Sequence, residues 1–133
     1  MQAWGPGNFD NEHATDWLDD LYESEDLDAI ILAMRSVIEL AGTEELDVVD
    51  CACALAAAEI VAAAAGKPAK DFPRRAMGFI DTMQIGVAEN VKKLARDCVE
   101  AVQSRSPLLT HWKKEGMLGE WLTELEGLSE RLA

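Results

Sequence analysis

Basic residues are almost missing from the first 50 positions of this 133-residue chain: Arg35 stands alone there against 14 Asp and Glu. The remaining residues hold 11 of each sign, so the formal charge of −13 belongs entirely to the first part. A chain this acidic lacks the surplus Lys and Arg that displace counterions from a nucleic acid, and anionic membrane surfaces repel it. Cysteine and histidine are scarce as well, at three and two. Cys51 and Cys53, two apart, point nearly opposite ways on a helix and cannot grip one metal ion, and His13 and His111 form no metal pair. Reduced, buried thiols in a cytoplasmic protein are the expectation. The longest apolar run, Cys51 to Gly66, is broken by Glu59, so no membrane span is expected. Met1 to Phe9 has no Lys or Arg and no apolar stretch, so no secretory signal is expected either. Gly5-Pro6-Gly7 has neither a preceding strand nor a following Lys, and no G-x-S-x-G occurs. Neither cofactor nor metal is expected.

What is present is helical period. With 49% hydrophobic residues the chain can build a core, and its length suits one domain over 1–133. Residues 1–9 read as an ordered arm, with Trp4 and Phe9 packed back on the body; a partner-binding tip is the alternative. Asp10 or Asn11 caps a first helix to about Glu23, with Ala14, Trp17, Leu18, Leu21 and Tyr22 at helical spacing. Ser24 can cap a second helix ending at Gly42. Asp47 caps a third, which stops at Gly66. Only Asp50 and Glu59 are charged in it, and a helix apolar all round is a buried one. Its alanines let neighbours approach closely. Asp71 can cap a short helix with Pro73 in its first turn. A further helix runs from about Val87 to Ser104, and Ser106-Pro107 starts another. Trp112 and Trp121, nine residues apart, would face opposite ways on one helix. A break near Gly116 lets both reach the core. The fold expected is all-α, a bundle of about five to seven helices around the Ala-rich one.

The string Trp4-Gly5-Pro6-Gly7-Asn8-Phe9-Asp10-Asn11-Glu12, followed by Ala14, Asp16 and Trp17, resembles the opening W-G-x-G-x-F pattern of bacterial domain-of-unknown-function family 4259. The segment Ala56-Ala57-Ala58-Glu59-Ile60-Val61-Ala62-Ala63 before Gly66 resembles that family's Ala-rich stretch around a Glu. The resemblance implies a small bacterial helical protein and supplies no reaction and no catalytic residues.

Two constellations carry functional interest. Glu12, Asp16, Asp19, Asp20 and Glu23 fall in a sector of roughly 100° opposite the apolar stripe of the first helix. As a plain solvated face this has a residue of cost. Glu12/Asp16, Asp16/Asp20 and Asp19/Glu23 are like charges at i, i+4, each destabilising by ~0.2–0.5 kcal/mol. Asp20 and Glu23 also sit at the wrong end of the helix dipole. Candidate compensating cations are Lys67, Lys70, Arg74 and Arg75 of the same chain or of a second copy, a basic partner protein, or a divalent metal. Glu59 is the second constellation. Shared meridian with Val48, Ala52 and Leu55 makes it a buried carboxylate, which needs a hydrogen-bonding partner. An indole, a backbone N–H or an Arg would serve, with Arg35 a candidate. Failing a structural role, Glu59 is the chain's best general acid or base.

The leading expectation is a non-enzymatic module presenting the acidic face to a basic protein, as small acidic immunity proteins do with basic nucleases. The alternatives are a metal-dependent hydrolase using helix carboxylates, and a homo-oligomer, a homodimer included, joining the acidic face to the basic loop of a neighbouring copy.

Overall fold

The computed structural model describes residues 3–133. Met1 and Gln2 of the expected arm lie outside the described residues. Seven helices follow one another: α1 (Glu12–Ser24), α2 (Asp28–Leu40), α3 (Val48–Ala64), α4 (Arg74–Met83), α5 (Glu89–Arg105), α6 (Pro107–Lys114) and α7 (Leu118–Arg131). Among the described residues no strand forms, and the all-α expectation holds. No helix there is long and apolar enough to cross a membrane.

The centre is α3. Asp47 caps it by accepting from the Asp50 N–H at 2.8 Å. Twelve of its 17 residues are buried, seven of them alanines, and the helix packs against all six others. Small side chains make this possible, because each alanine lets a neighbouring helix come close without leaving a void. The outer helices bury one face each. On α1 these are Ala14, Leu18 and Leu21, and on α2 Ile30, Met34 and Val37.

Helix boundaries follow local chemistry. Asn11, rather than Asp10, caps α1, accepting from the Ala14 N–H at 2.8 Å. The start of α2 is delayed to Asp28. The Ser24 hydroxyl accepts from the Asp26 N–H, and the Asp26 carboxylate from the Asp28 N–H. Two successive side-chain turns thereby take the place of one cap. Pro73, not Asp71, borders α4, and its start carries no side-chain cap. Ser106 opens α6 through the proline that follows it, while its own hydroxyl bonds back to the Val102 carbonyl. Gly116, at φ +74°, breaks the chain between α6 and α7. Trp112 and Trp121 are accordingly both buried.

The arm before α1 is held at several points. Ala3 pairs with Asn11, and the Trp4 N–H donates to the Asp10 carbonyl at 2.9 Å. Phe9 is buried and meets Phe72 edge-on at 5.6 Å. Trp4 departs from expectation: it is 68% exposed. The backbone that anchors it turns its ring outward while Phe9 takes the inward place. Gly5 and Gly7 are required by crowding. A Cβ on either would lie 2.7 or 2.6 Å from the Asp10 carboxylate, which accepts the Gly7 N–H.

Candidate functional site

Two sites stand out, one at the surface and one in the core. On α1 the five acids Glu12, Asp16, Asp19, Asp20 and Glu23 are all exposed. Their opposite face buries Ala14, Leu18 and Leu21, so amphipathic spacing alone turns the carboxylates outward. No base occupies the last turn. Among the described residues one cation reaches the face from elsewhere: an Arg75 Nη1 lies 3.5 Å from Asp19, with both side chains mostly exposed. An exposed pair of this kind contributes about 0.2–1 kcal/mol at most. Arg75 also lies over the Tyr22 ring at 4.4 Å, which fixes its direction.

The acidic surface extends beyond α1. The Cys53 thiol, between α1 and the start of α3, is pushed up to about 11 by burial and by the carboxylates of Asp50, Asp47, Asp20 and Asp16. Carboxylates from two helices therefore converge on one side of the molecule. Burial and the nearby Asp47 raise the Asp50 carboxyl above its ordinary range. Even so, the described residues contain no group of three or more His, Cys, Asp or Glu able to hold a metal ion.

The core site is Glu59. Its side chain is 2% exposed. Arg131 grips it as a fork, with Nη1 to Oε1 at 2.7 Å and Nη2 to Oε2 at 3.2 Å. Asn8 adds a third bond, Nδ2 to Oε2 at 2.8 Å. An Arg is the partner, as one of the expected alternatives had it, but the candidate Arg35 is not that residue. It sits exposed on the far side of α2 and makes no salt bridge among the described residues. Sequence reasoning missed Arg131 and Asn8, because nothing local links positions 8, 59 and 131. The only available signal was spacing on α7, where Arg131 follows Leu128 by three residues and so borders the buried stripe.

Asn8 is itself buried, and its Oδ1 has no protein partner. Beside it lies a void of about 10 Å³ between Pro6 and Gly7 of the arm, Ala52 and Leu55 of α3, and Trp121. Outside Arg131 a shallow cleft of about 330 Å³ is lined by Lys70, Asp71, Thr123 and Glu124. Burial raises the Glu124 carboxyl above its ordinary range, helped by Asp71, Glu59 and Asp10 and opposed by Arg131. With both its oxygens occupied and almost no exposure, Glu59 is arranged as an acceptor that ties the arm and α7 to the central helix.

The sequence model of a family described as "Domain of unknown function (DUF4259)" matches residues 2–124. Glu59, Asn8 and the α1 acids fall inside that segment, and Arg131 falls beyond it. No curated protein and no solved structure matches the chain.

Proposed function

We infer that this chain, which belongs to the DUF4259 family, is a non-enzymatic interaction module that offers Glu12, Asp16, Asp19, Asp20 and Glu23 to a basic protein. One observation carries the reading. Five exposed carboxylates crowd α1, and among the described residues Arg75 is the sole cation within salt-bridge distance of any of them. The three like-charge pairs at i, i+4 together destabilise the helix by roughly 0.6–1.5 kcal/mol. Lys and Arg side chains on a partner would reverse that sign locally. They would also bring the partner in faster, because opposed fields steer encounter. Asp47 and Asp50 widen the same field from the start of α3. Three free thiols suit a reducing compartment, and the cytoplasm is the proposed place of action.

Stopped-flow association with a Lys/Arg-rich probe peptide tests the reading. The rate constant is expected to fall about tenfold between 50 and 300 mM salt, in line with electrostatic steering. The triple variant Asp16→Asn, Asp19→Asn, Asp20→Asn should lower the rate at 50 mM salt to near its high-salt value. A rate indifferent to salt, or to the triple variant, would refute it.

A further inference from the structure

The outer stripe of α2 plays no part in the reading above. Asp28, Leu32, Arg35 and Glu39 succeed one another at helical spacing, and all four are exposed. Leu32 is 65% exposed, unusual for a leucine on a helix whose inner face is so well buried. Two hollows open on this side of α2. One, of about 240 Å³, runs from Leu27 and Ile31 to Ile60 and the Ile85–Val87 segment. The other, of about 330 Å³, lies between Asp26, Ile31, Leu32 and Arg35. The hollows share Ile31 and Asp28, so an exposed leucine, one mainly apolar hollow and one edged by Asp26, Asp28 and Arg35 lie on one continuous surface.

The charges on this surface have an order. Asp26 and Asp28 stand at one end, the apolar residues Ile31 and Leu32 in the middle and Arg35 two turns on from Asp28, with Glu39 one turn further, outside the 28–35 stretch that pairs with itself. Arg35 has no counter-ion among the described residues. A patch with an anion at one end and an unpaired cation two turns away is complementary to itself under a two-fold rotation. With helices antiparallel and the axis between positions 31 and 32, residue 35 meets residue 28 and residue 32 meets residue 31.

We propose that the outer face of α2 docks a second copy of this chain, antiparallel. Leu32 enters the apolar hollow beside Ile31 of the second copy, and Arg35 pairs with its Asp28, each contact occurring twice. Apolar contact supplies the association, and the charge order fixes direction and register. The α1 acids take no part, which separates this contact from the proposed binding of a basic partner.

Sedimentation velocity on the full chain at 10–500 µM and 150 mM salt provides the test. A reversible monomer–dimer equilibrium is expected. Leu32→Asp should abolish it without lowering the melting temperature, since the side chain is exposed. Arg35→Asp should weaken it at least tenfold, and Arg35→Asp combined with Asp28→Arg should restore it. A chain monomeric at every concentration would overturn the proposal. So would a dimer that survives Leu32→Asp, or that is lost on neutralising α1 and not on changing α2, or a double exchange that fails to restore pairing.

Discussion

Breaking the Glu59–Arg131 pair by its two halves should give unequal losses. Arg131→Ala removes both guanidinium bonds and leaves the carboxylate, 2% exposed, with Asn8 alone. Stranding one partner of a buried pair destabilises by about 3–5 kcal/mol. The lower half of that range is expected, because the Arg131 side chain is itself 23% exposed and water can follow where it leaves. Glu59→Gln keeps the shape and still offers one oxygen. The guanidinium it leaves can reach solvent, so the loss should be about 1–3 kcal/mol. Combining them removes the stranded charge altogether. The double variant should therefore be more stable than Arg131→Ala alone, which requires a coupling larger than the Glu59→Gln loss itself. Urea denaturation followed by tryptophan fluorescence measures all four corners, and calorimetry supplies the matching shift. For a chain of this size each kcal/mol moves Tm by about 3–5 °C, so Arg131→Ala should melt some 9–20 °C lower. If the losses add within about 0.5 kcal/mol, the pair carries no coupling and the reasoning fails.

Three further outcomes follow from the same structure. Gly7→Ala should lower Tm by several degrees, because the new Cβ would sit 2.6 Å from the Asp10 carboxylate, and Asp10→Ala should recover part of the loss. Calorimetry on the single and double variants checks it. The thiols of Cys51, Cys53 and Cys98, pushed up to about 12, 11 and 12 mainly by burial, should resist a thiolate-specific reagent at pH 8 and react fully once urea unfolds the chain. Rapid labelling of Cys98 in the native protein would contradict its burial. Glu124 is harder to ionise folded than unfolded, so its carboxylate withdraws stability as pH rises through the folded value. Glu124→Gln should accordingly raise Tm at pH 7, with the gain vanishing below the ordinary carboxylate range; an equal gain at pH 3 would refute the assignment.

How far each feature could be read in advance depends on the range of the force behind it. Asn11 and Asp47 were legible as caps because a cap is decided by residues three positions away. The burial of α3 was legible because a helix without a polar face has no other stable place. Trp112 and Trp121 revealed the break at Gly116 through angle alone. The start of α2 was misplaced because Ser24 and Asp26 bond to the backbone in sequence, two local options that composition does not rank. The acids of α1 were expected at the surface and are found there, but their grouping with Asp47 and Asp50 around Cys53 needed the crossing of two helices. Glu59 was legible as a buried carboxylate and its partner was not. Scarcity of cations makes Arg35 one candidate, whereas the actual choice depends on where α7 returns to α3. Trp4 failed for a different reason: aromatic burial is a tendency of averages, and one short arm can seat only one of two rings.

The Asn8–Glu59–Arg131 contact also imposes an order on biosynthesis. Translation at 5–20 residues per second leaves about 4–14 s between the appearance of residue 59 and that of residue 131. Throughout that interval the central helix has its arm and its first neighbours but carries a carboxylate whose cation does not yet exist. Collapse of the half-made chain around α3 would bury that charge unpaired, which is unfavourable. The central helix thus gains its last packing partner, and its buried carboxylate its cation, only once α7 has been made. A chain ending before α7 should be readily cut by protease, and the full chain should resist it.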